Sequence, residues 1–195
     1  MKPVANYKEA EALTGEFEVL PVGGYICKIT DVEIAIAQKS GNEMLVIYFD
    51  IAEGEKAGYY KRRYDKNVKS NTDVNKVVKW PGVYHQMLDG NDKVAGYLKG
   101  LMTTLEASNK GFNWEDCGWD ETKLKGLIFG GLFGREEYEK MDGSRGMTTK
   151  LRFIRSVEKI RSGNFEVPQD KLLPKKADPF GADTFTKVDD DDLPF

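Results

Sequence analysis

Residues 59–66 (YYKRRYDK) combine aromatic and cationic side chains in a pattern suited to nucleic acid. Single strands are held by cations that follow the phosphates and by aromatic rings on which bases stack, at about 1–3 kcal/mol per base. If this segment is a strand, alternation divides its side chains between two faces. Tyr60, Arg62 and Tyr64 lie on one face, Tyr59, Lys61 and Arg63 lie on the other, and Lys66 follows. The alternative interpretation is a solvated strand whose tyrosines pack at the rim of a core.

Neighbouring predicted strands add candidates for the same DNA-binding surface. They are Tyr48 in the second strand, Phe133 and Arg135 in the fourth, and Lys150, Arg152 and Arg155 in the last. Trp80, Tyr84 and His85 precede the predicted helix and could cap a groove, although a tryptophan in a loop more often plugs a core. Trp114 and Trp119 adjoin four acidic residues that would repel phosphates, so we interpret both as packing residues.

The residue types argue against catalysis. His85 is the one histidine of the chain, which leaves no Ser/His arrangement and little scope for a metal site. Residues 130–135 (GGLFGR) resemble a phosphate-binding loop, but they lack its lysine and following helix, so bends of a β-barrel explain them better. Cys27 and Cys117 form no C-x-x-C pair. We therefore predict no enzyme activity, no cofactor and no metal.

Composition and charge indicate one domain with extensions. The chain has 195 residues, of which 40% are hydrophobic and 31% charged, and its mean hydropathy is −0.53. No apolar run approaches the roughly 18 residues of a membrane span. From residue 163 onward, eight acidic and four basic residues give a charge of −4, which leaves +1 for the body. A nearly neutral body would need a local basic stripe to bind nucleic acid.

Hydrophobic periodicity predicts three strands, a helix and two further strands. The strands are residues 25–37, 43–52, 59–66, 127–138 and 148–157, and the helix is residues 93–108. This order is that of an OB fold, a five-stranded partly open barrel that binds oligonucleotides, although another α+β meander would share it. We predict a mainly β fold, with an OB-type barrel and a helix between strands 3 and 4. We divide the chain into an N-terminal arm (1–21), the barrel (22–162) and a disordered acidic tail (163–195).

The chain ends in a peptide suited to docking. Its residues are Asp189, Asp190, Asp191, Asp192, Leu193, Pro194 and Phe195. Four adjacent carboxylates and a small apolar area cannot offset the entropy of ordering, so this peptide does not fold alone. Pro194 limits the unbound conformations, Leu193 and Phe195 can fill an apolar pocket, and the acidic run suits a basic rim. The alternative is a solubilising acidic tail, but solubility requires no exposed phenylalanine.

This terminus resembles the C-terminal tip of bacterial and phage single-stranded-DNA-binding proteins, where a run of Asp precedes Ile or Leu and a final Pro-Phe. The matching residues are Asp190 to Asp192, Leu193, Pro194 and Phe195. The resemblance implies an OB-fold body that holds DNA and a tip that recruits enzymes. The body has a longer segment between its third and fourth strands than the common bacterial form, and it lacks the Gly/Gln-rich linker. It therefore looks more like the diverged, phage-encoded members.

We accordingly expect a protein that binds and protects single-stranded DNA without sequence choice. Its tip would recruit host or phage proteins of replication, recombination and repair. We expect no membrane partner and a cytoplasmic location, in a bacterial host if the protein is phage-encoded, and homo-oligomerisation stays open. The alternatives are an adaptor that uses the tip without binding DNA, and an RNA-binding OB protein.

Overall fold

The computed structural model describes residues 7–8 and 18–174, and their fold is mainly β. The five strands are β1 (Gly23–Ile36), β2 (Glu43–Ile51), β3 (Val83–Met87), β4 (Ile128–Glu139) and β5 (Arg145–Arg155). The three helices are α1 (Tyr59–Ser70), α2 (Asp92–Ser108) and α3 (Val157–Arg161). Two short 3₁₀ turns lie at Glu115–Cys117 and Glu121–Leu124.

The strands form one antiparallel sheet in the order β3-β2-β1-β4-β5. β1 is central, and its Cys27 lies opposite Ile51 of β2 and Phe129 of β4. β3 and β5 are the two edges and are not hydrogen-bonded to each other, so the sheet is open. The prediction of a mainly β fold with five strands is confirmed, but this sheet does not close into a barrel.

The predicted third strand is wrong, because residues 59–66 begin helix α1 and the third strand is β3. Asp50 of β2 caps the helix: its carboxylate accepts the backbone N–H groups of Tyr60 at 2.8 Å and Lys61 at 3.0 Å. Lys61 pairs with Asp65, four residues on, at 2.8 Å. The cap comes from another element of the fold, and a local pattern of alternating residues cannot reveal it.

The core lies against one face of this sheet. The predicted apolar face of β2 is confirmed, since Leu45, Ile47, Phe49 and Ile51 are each at most 2% exposed. The predicted helix is confirmed as α2, which buries Leu101, Met102 and Leu105. Its first turn is capped by the side chain of Asn91, which accepts the N–H of Lys93.

The two tryptophans of residues 114–119 differ in environment. Trp114 is 7% exposed and belongs to the core, as predicted. Trp119 is 64% exposed, so it packs against the core far less than predicted. Its ring meets that of Trp114 edge-on at 5.8 Å between centroids, and this contact leaves most of the Trp119 side chain in solvent.

Residues 164–174, here called the covering segment, lie against the sheet although they fall within the predicted tail. Lys171 donates its N–H to Arg135 O at 2.9 Å and accepts the N–H of Glu137 at 2.8 Å, on the part of β4 that β1 does not pair with. Phe165 packs over Gly24, where a Cβ atom would lie 2.6 Å from the ring. Residues 175–195, with the predicted docking tip, and most of the N-terminal arm lie outside the described residues.

Candidate nucleic-acid interface

Two predicted DNA-binding cations, Arg63 of α1 and Lys150 of β5, line one cavity of about 470 Å³. We call it the α1–hairpin groove, because it lies between α1 and the hairpin of β4 and β5. The other lining residues are Glu18, Val19, Leu20, Tyr59, Tyr138, Met147, Thr148 and Thr149. The fold therefore brings together, in one cavity, two cations that are 87 positions apart in the sequence.

The groove has a rigid floor and an exposed aromatic wall. Tyr59 is 3% exposed, and its hydroxyl donates to Glu18 O at 2.7 Å, which holds the start of α1 in place. Tyr138 is 42% exposed and packs against Gly146, where a Cβ atom would meet its ring at 2.9 Å. The groove thus offers a ring for stacking beside cations and threonine hydroxyls.

Lys150 and two cations of α1, Lys61 and Arg62, have partners within the fold. Lys150 Nζ lies 3.1 Å from Glu136, whose pKa is lowered chiefly by its hydrogen bond from Lys171 and then by Lys150. Lys61 pairs with Asp65, and Arg62 donates to the carbonyl of Ala57. Exposed ion pairs are worth at most about 1 kcal/mol. A phosphate could therefore replace the exposed Lys61–Asp65 pair at low cost.

Two residues that we predicted to contact DNA, Tyr60 and Phe133, lie in the core. Tyr60 is 5% exposed and Phe133 is fully buried, so neither ring can meet a base. Both pack edge-on against Phe49, at 5.3 and 6.2 Å between centroids. Burial also raises the pKa of Tyr60 far above its ordinary value. These residues fix α1 and β4 to one core.

Tyr48 lies in an acidic environment. Its hydroxyl donates to Glu33 on β1 at 2.5 Å, and this bond is the main cause of its raised pKa. Asp31 is its partner in the sheet register. Tyr48 does not line the α1–hairpin groove, and these carboxylates would repel a phosphate near it.

Tyr64 and Trp80 form an aromatic pair beside α1, with 5.4 Å between ring centroids. Trp80 donates its indole N–H to Phe49 O at 3.0 Å, as suits the core plug expected of a loop tryptophan. Lys66 lies on the following turn of α1. Tyr84 is half-buried on β3, where burial raises its pKa, and His85 is exposed. Tyr64 is half-buried, so only part of its ring can meet a ligand.

Arg135 and Arg152 are engaged with the covering segment. Arg135 forms a bidentate pair with Asp170, at 3.0 and 2.7 Å. Arg152 runs past Gly134 beside Pro168. Its Nη1 atom is buried and has no hydrogen-bond partner among the described residues. Neither side chain is placed for a ligand in the α1–hairpin groove.

Sequence reasoning missed Phe153, which is 45% exposed on β5. The guanidinium of Arg155 lies 5.3 Å from the centroid of its ring. The sequence did indicate this pair, because Phe153 and Arg155 are two positions apart in a predicted strand and so share a face.

The described residues contain no cluster of three or more His, Cys, Asp or Glu side chains arranged to hold a metal. Among residues 7–8 and 18–174, no helix has both the length and the apolar character needed to cross a bilayer.

Residues 5–87 match a protein family described only as a protein of unknown function, DUF669. The match spans β1, β2, α1 and β3, and so includes the α1 side of the groove. The comparison with curated proteins found no match.

Proposed function

We propose that this protein binds single-stranded DNA without sequence choice, in the α1–hairpin groove, and recruits partner proteins through its C-terminal tip. The body would act as an OB-type, partly open barrel. The body protects the single-stranded DNA, and the tip brings enzymes of replication, recombination or repair to that DNA.

The arrangement of elements supports an OB-type body. α2 lies between β3 and β4, as in the five-stranded partly open barrel that binds oligonucleotides. The gap of this sheet falls between β3 and β5, and α1 is an additional helix between β2 and β3. The α1–hairpin groove has walls from α1 and from β5, which is one edge of this open sheet.

The meeting of Arg63, Lys150 and Tyr138 in one groove is the observation that carries the proposal. Cations contact the phosphates, while Tyr138 stacks with a base that must be unpaired to expose its face. Thr148 and Thr149 add hydroxyl groups that can donate to phosphate oxygens. None of these groups reads a base edge in a fixed geometry, so the expected binding is insensitive to sequence.

Charge substitutions in the groove test this proposal. Arg63→Gln and Lys150→Gln should each weaken binding to an oligothymidine in a filter-binding titration. The slope of log affinity against log salt should become shallower by about 0.7 for each phosphate that the variant no longer binds. Lys123→Gln is the matched control, because it removes the same charge from a site beside Asp120 in an acidic loop. Equal effects of all three substitutions would contradict the proposed site.

The tip sequence favours a second candidate, an adaptor that docks partners but does not hold DNA. On that alternative the wild-type chain binds neither single strands nor duplex at any salt concentration, yet still captures partner enzymes through Phe195. DNA binding by the wild-type chain therefore separates the two candidates.

A further inference from the structure

A second depression lies outside the α1–hairpin groove, between β5 and the covering segment. Its volume is about 440 Å³, within the roughly 300–1,000 Å³ typical of small-molecule sites. Phe153, Arg155 and Lys159 form one wall, and residues 164–169 form the other. The single acidic side chain of its lining, Glu166, belongs to the covering segment and not to β5.

The β5 wall carries an exposed stacking pair. Phe153 is 45% exposed, and Arg155 lies over its ring at 5.3 Å. Arg155 Nη1 donates to the carbonyl of Ile154 at 2.9 Å, which holds the guanidinium in position. Arg155 and Lys159 form no ion pair within the described residues, so their charge is not neutralised there. A guanidinium held over a ring presents a flat cationic surface to a base.

The fold builds this depression by bringing the covering segment close to the sheet. At Gly130, a Cβ atom would collide with the side chain of Ile160, so the glycine gives α3 room to pack. Gly24 likewise leaves room for Phe165 and Ile160, which a Cβ atom at this position would meet. Leu132 lies opposite Phe153 in the register and is 4% exposed, which gives the depression an apolar floor. The Phe153 ring thus lies beside the buried Leu132, the Arg155 guanidinium covers part of its face, and 45% of the residue remains exposed.

We propose that this depression is a second contact site for single-stranded nucleic acid, with one base stacked on the Phe153–Arg155 pair and a neighbouring phosphate bound by Lys159. The inference rests on the proposed function and extends it. A duplex would not fit, because its bases are stacked on each other and do not expose a face.

The groove and the depression are close enough for one nucleic-acid chain to contact both. Lys150 of the groove and Phe153 of the depression lie on the same strand, about 10 Å apart at roughly 3.3 Å per residue. A nucleic acid bound at Lys150 would have to span only a few nucleotides to contact Phe153 as well. Linking two sites through one ligand makes the second contact intramolecular, so long strands should gain affinity that short strands lack.

The test compares oligothymidines of about 4 and about 16 nucleotides, the ends of the site-size range for one OB fold. Phe153→Ala should weaken the long strand roughly ten-fold and the short strand by no more than about two-fold, because a short strand still occupies the groove. Phe153→Trp should restore the long-strand affinity. Arg155→Ala should also make the salt slope for the long strand shallower, while Arg155→Lys should retain the slope but lose part of the affinity.

The affinity for the short oligothymidine shows whether each variant is folded, since binding of this oligonucleotide depends on the groove alone. Unchanged long-strand affinity in Phe153→Ala, while Arg63→Gln weakens both lengths, would overturn the second site and leave the proposed function intact. A wild-type chain that binds neither length would overturn both.

Discussion

The carboxylate of Asp50 on β2 accepts the backbone N–H of Tyr60 at 2.8 Å, and this hydrogen bond fixes the start of α1 to the sheet. The same carboxylate accepts the N–H of Lys61 at 3.0 Å. The first turn of a helix has amides without partners inside the helix, and Asp50 satisfies two of them. Because Tyr59 and Arg63 line the α1–hairpin groove, Asp50 also sets the position of the proposed binding site.

Asp50→Ala should lower the free energy of unfolding by about 1–2 kcal/mol, the upper part of the range for removal of a cap, because two amides lose their acceptor. Urea denaturation followed by circular dichroism measures this value. Asp65→Ala is the control, since it removes only an exposed ion pair with Lys61, worth about 0.5 kcal/mol. A decrease no larger for Asp50→Ala than for Asp65→Ala would show that the cap does not stabilise α1.

Tyr138→Ala should weaken binding to single strands roughly ten-fold through the loss of one stacked base. The salt slope should change little, because stacking releases few ions. Tyr97→Ala is the matched control, since Tyr97 is 69% exposed on α2 and lies outside the groove lining. Equal affinities of the Tyr138 and Tyr97 variants in a fluorescence-anisotropy titration would rule out stacking on Tyr138.

Glu136 should make attachment of the covering segment dependent on pH. Its pKa is lowered by hydrogen bonds from Lys171 and Lys150, so its contribution is complete above the unfolded value of about 4.3 and is lost as pH falls through the lower folded value. The free energy of opening obtained from hydrogen exchange at the amides of Glu137 and Lys171, which bond across this contact, should therefore be constant from neutral pH to about 5 and decrease below about 4. Glu136→Gln should remove that acid step, and its persistence in this variant would assign it to another group.

Deletion of residues 189–195 should raise affinity for single strands at low salt, because four aspartates and a terminal ring imitate a short strand and compete for the cations. The gain should shrink as salt screens this competition. Deletion of Phe195 alone should abolish capture of purified repair enzymes by the immobilised chain. Since coupling is reciprocal, a partner that binds the tip should also tighten DNA binding. Identical DNA affinities with and without the tip at every salt concentration would leave only the docking role.

The sequence predicted those elements whose periodicity is local. The alternation of Leu45, Ile47 and Phe49 defined β2 and its buried face, and α2 followed from its apolar repeat. Residues 59–66 were mispredicted because alternating Tyr and Arg fits a strand, while Lys61 and Asp65 at helical spacing were overlooked. The cap from Asp50 depends on tertiary structure and has no local signal.

For the candidate groove, sequence reasoning identified residue types better than their positions in the fold. Arg63 and Lys150 share a groove, but Tyr60 and Phe133 were assigned to DNA although both are in the core. Burial separates these cases, and burial depends on which face of α1 and β4 meets the sheet. Tyr138 and Phe153 are exposed rings that composition alone could not distinguish from core aromatics.

The most direct measurement is a filter-binding titration of the full chain with a single-stranded oligonucleotide and its duplex at two salt concentrations. We predict tighter binding to the single strand at both concentrations, with similar affinities for unrelated sequences. The log affinity should fall with log salt at a slope near −0.7 for each phosphate bound. Equal or tighter binding to the duplex would contradict the account.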